Sequence, residues 1–194
     1  MKPFAIVMMT FATLASAQQR FDMEVRNDFF AGFAGNKEAL ERGMKATEAV
    51  LAANPNHAEA LVWHGAGVYF LSGQAFQKGD QATGMELYGK GLAEMDKAVA
   101  LAPKHIGVRI PRGATLLQGS LYMPQEFAKP LVERGLADYR VAYDLQKDDL
   151  ASMGEHPKGE LLMGLASANQ RLGNPDKARE FYQKVAELMP NTPY

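Results

Sequence analysis

The stretch GELLMGLASANQRLGNPDKAREFYQKVAELMPNT, residues 159–192, reads as two antiparallel helices around a single turn. Its turn is Gly173-Asn174-Pro175, where glycine ends one helix and proline opens the next. Leu162 and Leu165 before the turn, and Tyr182 and Val185 after it, recur at helical spacing and are expected to fill the seam between and beneath the pair. Ala166 and Ala178 are small enough to let the two helices approach, and Pro190 stops the second of them. Such a hairpin cannot bury its apolar face alone, so it needs neighbours on which to stack.

Those neighbours are legible upstream. From Gln18 onward the apolar residues recur with helical periodicity, breaks fall at Gly or Pro, and no sustained alternation suggests a sheet. Eight helices are predicted, over residues 21–33, 36–53, 57–71, 77–101, 106–122, 125–145, 157–171 and 175–188. Alignment on the helix-stopping prolines brings Ala49-Val50-Leu51-Ala52-Ala53-Asn54-Pro55 over Ala98-Val99-Ala100-Leu101-Ala102-Pro103 and over Val185-Ala186-Glu187-Leu188-Met189-Pro190. Gly65 and Gly113 then stand where the last hairpin has Ala166, at the position of closest helix contact. The expected architecture is all-α, a short solenoid of about four antiparallel helix hairpins.

In these residues the chain resembles the tetratricopeptide repeat family, closely over 159–192 and more loosely over most of the remainder. The resemblance implies a stack of hairpins whose first helices line a concave groove used for binding. One departure is plain: Pro55 and Pro103 lie roughly 48 residues apart, against a usual period of about 34. The repeats are oversized. The extra residues fall at 71–87 and 147–156, where longer helices or loops are expected along one edge.

At the N-terminus Lys2 precedes an apolar run over residues 4–14, followed by Ala15-Ser16-Ala17. This reads as a signal peptide over residues 1–17, cleaved to leave a repeat domain over 18–194; the alternative, given the single Lys2 and the adjacent Pro3, is an uncut anchor helix. The run is short for a membrane span, so no stable membrane insertion of the mature chain is expected. Periplasmic or secreted localisation follows from that reading. No cysteine follows the run, which removes a lipoprotein anchor, and the chain contains none anywhere, which removes disulfides, thiolate nucleophiles and cysteine-bound zinc. A formal charge of −1 argues against a nucleic-acid partner, which would need a basic face, and against strong attraction to anionic lipid.

No catalytic constellation stands out, and neither a cofactor nor a metal site is expected. His57, His64, His105 and His156 lack the spacing that places two metal ligands on one helical face. No serine lies in a Gly-x-Ser-x-Gly elbow, and Asp148-Asp149 reads as a solvated charge pair. Gly65, Gly67, Gly84, Gly89 and Gly91 form no phosphate loop and read as points of helix contact.

Val108-Arg109-Ile110-Pro111-Arg112-Gly113 is the least ordinary segment, because it sets two arginines three apart on one helical face where the repeat is normally apolar. A buried guanidinium keeps its charge and needs acceptors. Arg109 and Arg112 therefore belong to an ion-pair network with Asp96, Asp138, Asp144 or Glu160, or they hold a ligand carboxylate or phosphate, or a shifted register exposes them to solvent.

By the resemblance, groove positions map to Glu59, Val62, Ala66, Tyr69 and Phe70, then to Ile110, Ala114, Leu117 and Gln118. Glu160, Met163, Ser167, Gln170 and Arg171 complete them. The groove is expected to be apolar at its centre and polar at its rim, with Tyr69, Phe70 and Leu117 alternatively covered by the first helix or by the 71–81 insertion. Grooves of the family that clamp acidic chaperone tails present several basic and amide side chains, whereas only Arg171 stands at a matching position here. The expected function is an exported scaffold that binds a protein partner or peptide segment and is not an enzyme. The alternative is a carrier of a small carboxylate ligand, an accessory protein of a solute transporter.

Overall fold

The computed structural model describes residues 21–192, so the proposed leader lies outside the described residues. The helices are α1 (Asp22–Phe33), α2 (Lys37–Ala53), α3 (Ala58–Gln77), α4 (Gln81–Leu101), α5 (Ile106–Gly119), α6 (Gln125–Gln146), α7 (Glu155–Arg171) and α8 (Pro175–Leu188). They pair in sequence as four hairpins. The first helix of each hairpin packs on the first helix of the next, while α2, α4 and α6 pack from behind against α3, α5 and α7. This is an all-α solenoid, with α1, α3, α5 and α7 forming its inner layer.

Local chemistry sets the hairpin ends. Gly35, Gly79 and Gly173 take positive φ values of 109°, 81° and 76° in the turns of the first, second and fourth hairpins, a conformation open to glycine at little cost. Asn36, His57 and Asp80 accept hydrogen bonds from the amides of Ala39, Ala60 and Thr83, which satisfies an otherwise orphaned donor at the start of α2, α3 and α4.

The second hairpin differs from the sequence expectation. α3 does not end near residue 71 but runs on to Gln77, and α4 opens at Gln81. The break lies at Lys78-Gly79-Asp80, where a left-handed glycine meets an N-capping aspartate. Helix length therefore absorbs the extra residues there. The later insertion is instead irregular, a short 3-10 turn over Lys147–Asp149 anchored by the buried Leu150, with Asp148 and Asp149 exposed.

Two apolar clusters make the core. The first joins α1 to α4 around Phe29, Trp63 and Met95, and the second joins α6 to α8 around Leu136, Leu162 and Leu165. Helix α5 contributes to both, Val108 and Leu116 to the first and Leu117 to the second. In the last hairpin Phe181 is buried whereas Tyr182, expected in the seam, stands at the surface and donates to Gln170 Oε1 at 2.7 Å.

Glycines set the tightest crossings. A Cβ on Gly91 would lie 2.7 Å from the carbonyl oxygen of Gly65 and 2.7 Å from the amide of Tyr69, so α3 and α4 touch backbone to backbone. A Cβ on Gly113 would lie 3.1 Å from the Tyr139 ring. Gly89, also expected at a contact, has nothing within 4 Å and faces solvent. The solenoid curls far enough that Phe30 of α1 meets both Trp63 at 5.8 Å and His156 of α7 at 6.4 Å between ring centroids.

Candidate functional site

The inner face is open only in its C-terminal half. Val62 is fully buried, Tyr69 is buried with its ring against Gly119 and 5.4 Å from that of Tyr88, and Phe70 packs on Phe33 at 5.0 Å. Helix α1 and the C-terminal part of α5 supply those covers. These three residues, expected in the groove, belong to the core, because the tight curl brings α1 over the inner face of α3. Ile110 is half-buried against the second apolar cluster.

Between α5 and α7 a groove of about 310 Å³ remains. Ala114, Leu117, Gln118 and Leu121 form one wall, and Glu160, Met163, Ser167 and Arg171 form the other. These include the sequence-assigned Leu117, Gln118, Met163 and Arg171. The amphipathic pattern of the two helices explains the arrangement. Residues 114, 117 and 118 share a face of α5 at i, i+3 and i+4, with Leu121 following in the 3-10 turn over Ser120–Tyr122, and residues 160, 163, 167 and 171 share a face of α7 at i, i+3, i+7 and i+11.

The floor of the groove was not legible in the sequence. Tyr139, from α6 behind, reaches it between Gly113 and Gly164, and a Cβ on Gly164 would collide with the phenol ring. The side chain is 3% exposed and lines the groove. Burial, reinforced by the charges of Glu160 and Asp138, pushes its ionisation far up, so it remains a phenol able to donate. The usable signal was the glycine pair, one on each wall.

The two ends of the groove differ in charge. Burial pushes the carboxyl of Glu160 above its ordinary range, opposed by the positive charges of His156 and Arg26. At the other end burial lowers the affinity of Arg171 for its proton, and its Nη1 donates to the Leu117 carbonyl at 2.9 Å. No carboxylate among the described residues pairs with Arg171. The Leu117 carbonyl also accepts from Ser120 Oγ at 2.7 Å, so Arg171 is not needed to satisfy it.

Arg109 and Arg112 lie elsewhere, on the side of α5 that faces α4 and α6. Arg112 grips the fully buried Asp138 with two parallel bonds, Nε to Oδ2 at 2.6 Å and Nη2 to Oδ1 at 2.7 Å, and reaches Asp96 through Nη1 at 2.9 Å. Arg109 donates to Asp138 Oδ1 at 2.6 Å and to the Pro103 carbonyl at 2.8 Å. Arg134 completes the cluster on Asp96. Asp144 and Glu160 take no part, pairing with Lys147 at 3.6 Å and His156 at 3.9 Å. The network ties three helices together at the boundary of the two apolar clusters.

Residues 159–192, the α7–α8 hairpin, match the family model for the tetratricopeptide repeat. No curated protein matches the chain. No helix of the described residues is long and apolar enough to cross a membrane.

Proposed function

We propose that this chain is a helical-repeat scaffold, not an enzyme, that holds a segment of a partner protein in the groove between α5 and α7. The observation that carries this reading is an inner face filled by α1 over α3 but left open beside Leu117 and Met163. Stacked hairpins offer extended surfaces of this kind, apolar in the middle and polar at the rim. The test is selection of eight-residue peptides from a displayed library, run in parallel on the parent and on Ala114→Trp, which fills the groove from a half-buried position. Peptides enriched on the parent are expected to lose at least tenfold in affinity on the filled variant. Equal binding to two proteins with the same melting temperature overturns the groove.

A second reading, a carrier of a small organic acid, draws support from the groove volume of about 310 Å³, near the lower end for small-molecule sites. It loses the anchor first assigned to it, because Asp138 and Asp96 already engage Arg109 and Arg112.

Export is part of the proposal. It rests on the apolar run over 4–14 and on Ala15-Ser16-Ala17, and it places the mature N-terminus at Gln18. Intact-mass spectrometry of the protein recovered outside the cytoplasm is expected to show a chain beginning there. Recovery of the full chain from Met1 in the membrane fraction refutes cleavage.

A further inference from the structure

We infer that the end of the solenoid, the face of α8 formed by Ala178, Tyr182 and Ala186, is a second docking surface, and that its occupant is an amphipathic helix of a partner protein with glycine or alanine against the Tyr182 ring. This surface is separate from the groove between α5 and α7 and does not depend on it.

The earlier hairpins show what such a face receives. Relative to the proline that follows each second helix, Tyr182 stands where α4 has Met95 and α2 has Thr47, and Ala186 stands where they have Val99 and Leu51. Thr47 and Met95 are fully buried, and Leu51 and Val99 pack on the first apolar cluster. Tyr182 is instead 36% exposed, and Ala186 lies at the surface. Helix α6 shows the cover directly. Its Tyr139 lies against Gly113 of its own hairpin, as Met95 lies against Gly65, and the same ring meets Gly164 of the following helix, α7. A side chain at this position is thus enclosed between its own first helix and the first helix of the next hairpin. Tyr182 occupies the equivalent position one hairpin later, and among the described residues no following helix encloses it.

What remains there has the form of a helix seat. A groove of about 420 Å³ is lined by Gln170 of α7 and by Pro175, Ala178, Tyr182 and Ala186 of α8. Ala178, Tyr182 and Ala186 follow one another at i, i+4 and i+8, one of the ridges along which helices interlock. The two alanines let a helix come close. The tyrosine hydroxyl donates to Gln170 Oε1 at 2.7 Å, so the ring is already held and covering it costs little side-chain entropy. A ring on that ridge needs a small residue opposite, as Tyr139 needs Gly164, where a Cβ would collide with the phenol. Glycine or alanine facing Tyr182 meets that need, with apolar side chains one turn away on either side to cover Ala178 and Ala186. Two copies of α8 meeting with each Tyr182 on the other's Ala178 would bring their Arg179 side chains together near the two-fold axis, which charge repulsion opposes. A helix from another protein carries no such penalty.

The test is selection of amphipathic helices of 17 residues, the length of α7, from a displayed library on the full chain. Enriched helices are expected to carry a central glycine or alanine flanked by apolar residues one turn away. They should lose roughly tenfold or more in affinity on Tyr182→Lys, a surface substitution that keeps the melting temperature of the parent. Exchanging the central small residue for leucine should weaken binding roughly tenfold or more on the parent, but less than about threefold on Tyr182→Ala, where the missing ring makes room. Ala114→Trp should change this binding by less than about threefold, whereas peptides held between α5 and α7 should bind Tyr182→Lys as they bind the parent. Helices that lose affinity on Ala114→Trp and keep it on Tyr182→Lys overturn the inference and leave the groove reading standing. Enrichment of no helix also overturns it. Self-association of the parent in sedimentation, abolished by Tyr182→Lys, assigns the face to a second copy and overturns the partner helix.

Discussion

Asp138→Ala is expected to destabilise the protein by about 3–5 kcal/mol in urea denaturation, the cost typical of leaving buried charge without its counterpart. That is a large share of the roughly 5–15 kcal/mol by which domains are stable. The carboxylate is fully buried and holds two guanidinium groups whose side chains are 14% and 10% exposed. After its removal Arg109 retains the Pro103 carbonyl and Arg112 retains Asp96. Arg109→Met with Arg112→Met is expected to be similarly harmful, since it strands Asp138. Adding Asp138→Leu to that pair should recover most of the loss, because a packed apolar cluster replaces a buried network at little cost. By contrast, Arg134→Met, at the exposed edge of the same cluster, should change stability by about 1 kcal/mol or less. A loss below about 1 kcal/mol for Asp138→Ala sinks this account of the network.

Gly91→Leu carries the next largest effect. Its Cβ meets backbone atoms of α3, the Gly65 carbonyl and the Tyr69 amide, and a rotamer change cannot move backbone aside. The helices must separate, at a cost of about 1–3 kcal/mol or more. Improved helix propensity returns only about 1 kcal/mol. Gly113→Leu meets a ring at 3.1 Å and should lose less, while Gly89→Ala meets nothing and should gain up to about 1 kcal/mol. Thermal melts of the three variants give the order. A Gly91 variant as stable as the Gly89 variant contradicts the close α3–α4 crossing.

Much of the architecture was legible because helical periodicity and punctuation are local signals. Prolines after residues 54, 102 and 189 and the Gly173-Asn174-Pro175 turn bound the helices with few exceptions. The α3–α4 break falls at Gly79-Asp80 and not between residues 71 and 77, because a left-handed residue followed by an N-capping aspartate ends one helix and starts the next there. Tyr182 and Phe181 are adjacent, so a shift of one position exchanges a seam residue for a surface one. The site was less legible. Leu117, Gln118, Met163 and Arg171 line the groove because their own helices place them there. Val62, Tyr69 and Phe70 do not, because the curl that brings α1 over them depends on crossing angles set by many contacts at once. Choosing Asp138 among four carboxylates, or finding Tyr139 beneath the groove, requires the register of α6 against α5 and α7, which periodicity does not contain.

The meeting of Phe30 with His156 has a consequence for the order of assembly. A solenoid held by neighbouring hairpins can begin folding at any of them and grow outward, since each step closes only a short loop. The touch between the first and last inner helices joins residues far apart in sequence, and it forms only after all four hairpins have stacked. It is therefore absent from an early nucleus and belongs to the final descent to the native state. Contacts that form so late leave the folding rate almost unchanged and act on unfolding, so Phe30→Ala is expected to speed unfolding in stopped-flow measurements while leaving refolding unchanged.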